Sequence, residues 1–175
     1  MRNIIFVLLL LGAAFCVWQY LLPKEEILIS NFEECLAQGY LVLESYPRQC
    51  KTPGNESFTE YIGNELEKMN LIRVSWPRPN ESVKSPILIK GEARGYWFFE
   101  ADFPVRVYDE NGKLLGTAIA QAESDWMTED FVSFSLVMAF GNPETKKGTL
   151  VLEKDNPSDI PEFDDQLIIP INFAE

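Results

Sequence analysis

From Ile4 to Leu22 the chain carries no charged side chain, and Gln19 is the one strongly polar residue in the run. Nineteen residues in a helix rise about 29 Å, close to the hydrocarbon thickness of a bilayer. Trp18 and Tyr20 stand near the far end, where amphipathic aromatics favour the interface, and Pro23-Lys24-Glu25-Glu26 closes the run. Arg2 is the one side-chain charge ahead of it, which favours a cytoplasmic N-terminus and an exported remainder. The expectation is a membrane anchor or uncleaved signal over residues 1–23, with the bulk of the chain extracytoplasmic. Two alternatives stay open. A cleaved signal would use Ile4–Leu11 as its apolar core and end near Ala14, but it leaves Phe15–Leu22 mostly apolar. A lipoprotein would be acylated at Cys16, but Phe15 stands where that processing wants a small side chain.

An exported chain is free to oxidise its thiols. Beyond Cys16 there are two cysteines, Cys35 and Cys50, with fourteen residues between them. An even pair behind an export signal reads as a disulfide, worth on the order of 3 kcal/mol in the chain-entropy model. A redox or metal-binding pair is the alternative, and it lacks CxxC spacing, histidine and a third thiolate outside the span. Around the pair, Asn31 and Glu34 are placed like a capping box, with a short helix through Cys35–Gln38 stopping at Gly39. Tyr40–Leu43 reads as a strand, and Gln49–Lys51 and Ser57–Thr59 as a hairpin about Pro53-Gly54-Asn55. The run FEECLAQGYLVLESYPRQCKTPGNESFTE resembles a short two-cysteine module of small exported bacterial proteins. Residues 30–61 are therefore expected to form a disulfide-closed α+β unit, the bond substituting for a large core.

Residues 62–70 follow as a helical linker, with Ile62, Leu66 and Met69 on one apolar stripe. Beyond Leu71 the pattern turns to β. Seven strands are expected: Leu71–Trp76, Ile87–Glu92, Val105–Asp109, Leu114–Ala120, Phe131–Phe140, Thr149–Lys154 and Leu167–Phe173. Alternation is plain in Val105–Tyr108 and Phe131–Leu136. Asn111-Gly112 predicts a type I′ hairpin, and Pro170 predicts an edge or a bulge. Seven short strands over residues 71–175 suit an immunoglobulin-like antiparallel β-sandwich without the inter-sheet cysteine bridge. The fold class is mainly β, with an N-terminal transmembrane helix and the small disulfide-closed module.

The stretch VSWPRPNESVKSPILIKGEARGYWFFEADFPVRVYDENGKLL, the Trp126-Met127-Thr128 step, and the Asn156-Pro157-Ser158 turn with Pro161-Glu162 resemble the immunoglobulin-like domain of bacterial spore-germination proteins, the GerM-associated type. The resemblance covers Leu71 to Phe173. It implies a β-sandwich that serves as a binding or assembly module in the cell envelope.

Composition narrows the chemistry. Fifteen Lys and Arg against 27 Asp and Glu give a net charge of −12, which opposes nucleic-acid binding. With no histidine, Ser-His-Asp and Cys-His nucleophilic sites and His-ligated metals are excluded. The acidic group Asp155, Asp159, Glu162, Asp164 and Asp165 does not match an EF-hand loop and reads as a solvated loop. No catalytic residue, metal site or cofactor is expected. The candidate contact residues are Trp97, Phe99 and Trp126, because large aromatics are enriched at binding hot spots. In Tyr96-Trp97-Phe98-Phe99 a strand would place Trp97 and Phe99 on one face. The competing reading puts all three aromatics in the core, Trp97 first. The expected function is a membrane-tethered, non-catalytic envelope module that meets a protein or glycan partner. The alternatives are an envelope hydrolase using acidic residues and a protease inhibitor presenting the Cys35–Cys50 loop.

Overall fold

The computed structural model describes residues 28–158 and 160–174. The segment read as an anchor, Ile4–Leu22 with Cys16, lies outside the described residues. Among the described residues no helix is long and apolar enough to cross a membrane.

The small module comes first. Asn31 caps the helix Phe32–Ala37 by accepting from the Glu34 amide at 2.8 Å. The Glu34 carboxylate takes the Ser30 amide at 2.8 Å, one residue earlier than a capping box would have it. These bonds, the Ser30 amide foremost, hold the Glu34 carboxyl below the usual range. After Gly39 come β1 (Leu41–Leu43), β2 (Gln49–Lys51) and β3 (Ser57–Thr59), an antiparallel sheet in the order β1-β2-β3. Cys35 and Cys50 are bonded, with Cα atoms 6.0 Å apart. Both are buried among Ile29 and Phe32, with Tyr40, Val42 and Phe58 around them. No residue of this cluster belongs to the larger core.

The linker departs from its apolar stripe. Helix is confined to Glu65–Lys68; Ile62 is buried, but Leu66 and Met69 are about half exposed. The side chain that turns inward is Glu65, because Arg78 and Tyr46 offer it partners that water would otherwise supply.

All seven expected strands are present: β4 (Ile72–Trp76), β6 (Ile87–Arg94), β7 (Asp102–Asp109), β8 (Leu114–Gln121), β9 (Phe131–Met138), β10 (Lys147–Glu153) and β11 (Gln166–Phe173). A short eighth, β5 (Ser82–Val83), pairs in parallel with the end of β11. One sheet runs β4-β6-β9 and the other β5-β11-β10-β7-β8. The chain therefore changes sheet between β4 and β5, across Pro77-Arg78-Pro79-Asn80. Alternation puts Phe103, Val105 and Val107 of β7, Leu150 and Leu152 of β10, and Leu167, Ile169 and Ile171 of β11 between the sheets, against Ile72, Val74, Ile87, Ile89 and Phe134. Phe103 centres an aromatic stack, edge-on to Phe98 at 5.1 Å and to Phe134 at 5.0 Å.

Two local expectations change. In the β7–β8 loop only Gly112 takes positive φ (+79°), so the turn is not type I′. The Asp109 carboxylate accepts from the Asn111 and Lys113 amides, each at 3.0 Å, and so holds a three-residue loop ending in a left-handed glycine. Pro170 lies in β11, which is flanked by both β5 and β10. The Pro170 carbonyl accepts from Asn80 at 2.7 Å on the β5 side, before β5 begins, so its missing N–H disrupts no ladder.

Candidate partner-binding surface

Strand directions gather three connections at one end of the sandwich. Arg94 at the close of β6 pairs with Phe131 at the start of β9. Asp102 at the start of β7 pairs with Gln121 at the close of β8. Val105 lies opposite Leu152, near the close of β10. The loops 95–101, 122–130 and 154–165 therefore share that end. In an immunoglobulin variable domain the corresponding end carries the recognition loops.

The loops hold one another. The Gly95 amide donates to Asp130 at 3.1 Å, and the Asp155 amide donates to the Trp97 carbonyl at 3.1 Å. A Cβ at Gly95 would lie 2.0 Å from the Thr128 carbonyl oxygen and 2.2 Å from that of Trp126, so only glycine lets the loops close up here. Gly95–Trp97 is a 3-10 turn rather than a strand. That changes which aromatics share a side. Trp97 (0% exposed) and Phe98 are core, while Tyr96 (50%) and Phe99 (39%) face outward. Trp97 is thus corrected from contact candidate to core residue: the tight turn advances it into the space between the sheets. Phe99 stands at the surface. Trp126 is half-buried against the core beside Met127, which is 78% exposed.

Ile160 and Phe163, on the third loop, are also exposed. Charge dominates that segment of the sequence; isolated apolar residues within an acidic loop are the signal that marks them. The acidic groups around them largely serve the loop. The Asn156 amide donates to Asp164 at 2.7 Å, and Lys68 pairs with Asp165 at 2.6 Å. Asp155 is the exception. Burial, then the neighbouring charges of Asp102 and Glu100, pushes its carboxyl above the usual range. Among the described residues no group of three or more His, Cys, Asp or Glu is placed to hold a metal ion.

Two clefts lie on the outer face of the five-stranded sheet to either side of the linker, the second reaching the third loop at Lys154, Asp164 and Asp165. One, of about 500 Å³, runs between Tyr61 and Tyr108, with Glu33 and Lys147 of its lining 3.5 Å apart. The other, of about 530 Å³, holds the Lys68–Asp165 pair and Glu153, which is bonded to Arg106. Both clefts are lined in part by charges that already satisfy each other. The loop end instead presents large apolar side chains to solvent.

The small module is fastened near these clefts. Arg78 donates to Glu65 at 2.5 Å, to the Val74 carbonyl at 2.7 Å and to the Tyr46 hydroxyl at 2.6 Å, and Tyr46 is bonded to Glu65 in turn. Arg48 forks onto Glu60 at 2.6 and 2.9 Å, and Asn80 donates to Glu60 and to the Tyr61 carbonyl. That fork holds the Glu60 carboxyl below its usual range and the Arg48 guanidinium above its own. A Cβ at Gly63 would sit 1.9 Å from the Ile168 carbonyl oxygen, so the linker backbone lies directly on β11.

In comparison with known proteins, residues 71–160 match the model of the immunoglobulin-like domain of bacterial spore germination. Among curated proteins and among solved structures, none matches the chain.

Proposed function

The chain belongs to the family of immunoglobulin-like domains of bacterial spore germination, and from that premise we propose that it is a non-catalytic binding or assembly module of the cell envelope. Residues Ile4–Leu22 hold it at the membrane, and the bulk of the chain stands outside. The sandwich meets an envelope protein through its loop end. The observation that carries this reading is the convergence of Tyr96, Phe99, Met127, Ile160 and Phe163 on three loops at one end, all exposed. Large apolar side chains rimmed by charge at a loop end are what a partner buries. The Glu33–Lys147 contact supports the orientation, since it draws the first helix toward the opposite end, where β10 begins.

Added protease should remove the bulk of the chain from intact cells or spheroplasts and leave a membrane-held stub. Captured from envelope extract, the full chain should retain a discrete partner that Phe99→Ser and Met127→Ser lose while keeping the parent melting temperature. Protein that begins after Ala14 and is free of the membrane would end the tether reading. Unchanged capture by both variants would end the loop-end reading.

A further inference from the structure

The charge of this chain is gathered at the loop end. The connections 95–101, 122–130 and 154–165 hold ten of its 27 acidic residues and one of its 15 basic ones, Lys154, so they carry −9 of the net −12. Little of that charge is neutralised in place. Among the described residues, Lys68 with Asp165 is the one ion pair these loops make. Lys154 turns to the Phe163 carbonyl. Arg94, at the close of β6, donates to the Asn70 and Glu129 carbonyls at 3.1 and 3.0 Å and lies over the Phe131 ring. Burial and the like charges of Asp102 and Glu100 press on the Asp155 carboxyl.

The same loops expose Phe99, Met127, Ile160 and Phe163, and each of these has an acidic residue within two positions along the chain. Apolar area and negative charge are therefore interleaved over one surface. The apolar side chains alone would suit a partner of any charge, and the carboxylates narrow the choice. A second copy docking by the same end would set −9 against −9. An anionic lipid surface or a nucleic acid would be repelled in the same way. Resting on the loop-end reading above, we infer that the partner is a protein whose contact segment interleaves lysine or arginine with large apolar side chains. The carboxylates draw that segment in and fix its orientation. Phe99 and the adaptable Met127 hold it once water is expelled. The two roles separate kinetically. Rim charges act on association and its salt dependence, and buried apolar anchors act on dissociation.

Defined peptides test this on the full chain held in discs of zwitterionic lipid, with empty discs as the blank. One peptide alternates Lys with Trp and Leu, a second carries Glu for each Lys, and a third carries Ser for each Trp and Leu. The first should bind best, and raising salt from about 0.05 to about 0.3 M should weaken it about tenfold. Glu100→Gln, Glu129→Gln and Glu162→Gln together take one carboxylate from each loop and should slow association about tenfold. Glu56→Gln, Glu81→Gln and Glu110→Gln remove the same charge away from the loop end and should leave association within about twofold. Phe99→Ser with Met127→Ser should speed dissociation. Equal slowing by both Gln triples would reduce the effect to net charge and overturn the inference, as would equal binding of the Glu peptide. If the Ser pair weakens binding and the loop triple does not, the loop-end reading stands and the basic partner falls; if neither does, both fall.

Discussion

Trp97 and Phe99 stand two residues apart, and a single 3-10 turn gives them opposite fates. Trp97 has no exposed surface, so Trp97→Ala should cost about 3–5 kcal/mol through lost contacts and the cavity left behind. Phe99→Ala should stay within about ±0.5 kcal/mol, as surface changes do. Chemical denaturation of the two variants reads the difference directly, and equal losses would place Phe99 in the core as well. The same scale explains why Glu65 faces inward in place of the apolar Leu66 and Met69. Hydrophobic periodicity counts apolar side chains, whereas Glu65 is held by a guanidinium and a phenol that arrive from thirteen and nineteen residues away.

Among the elements, the disulfide-closed module has its own small core, separate from that of the sandwich. Cys50→Ser should therefore cost the module about 3 kcal/mol, enough to loosen it, while the sandwich keeps its own unfolding transition. Calorimetry should show one transition lowered and the other unmoved; a joint collapse would mean that the two cores fold as one. The larger elements were legible because their signals are local. Alternation fixed the faces of β7 and β9, and turn residues bounded all seven long strands to within three residues. Asn31 and Gly39 bracketed the first helix. What was not legible depends on distant chain. Two residues such as Ser82-Val83 become a strand only because β11 runs beside them. The Tyr96–Phe99 run reads as a strand until Gly95 is seen to close against the Trp126–Thr128 carbonyls. The loop end as a surface follows from topology that no local pattern encodes.

For the whole molecule, the junction between module and sandwich is set by charge. The depressed Glu60 carboxyl contributes stability that is present above the ordinary glutamate range and is lost as pH falls through its lowered value. Asp155 has the opposite sign. Its raised carboxyl favours the folded state when protonated, and that contribution is lost as pH rises through the raised value. Acid should therefore loosen the junction while it relaxes the loop end. In a falling pH series, proximity between the Asn80 side-chain amide and Tyr61, followed by NMR, should vanish before the sandwich loses its near-UV signal, and simultaneous loss would count against the assignment. The disulfide also bears on how far the molecule stretches. Suppose the chain is held at its N-terminus and pulled from the loop end. Tension then reaches the Arg78–Glu65–Tyr46 clamp and the module before it reaches the eight strands. Fifteen residues of separation, drawn out at about 3.4 Å each, would span about 50 Å. The bond keeps those ends 6.0 Å apart and so withholds about 45 Å of slack. Oxidised, the module is a short leash; reduced, it is a spring that lets the loop end drift several nanometres from its anchor.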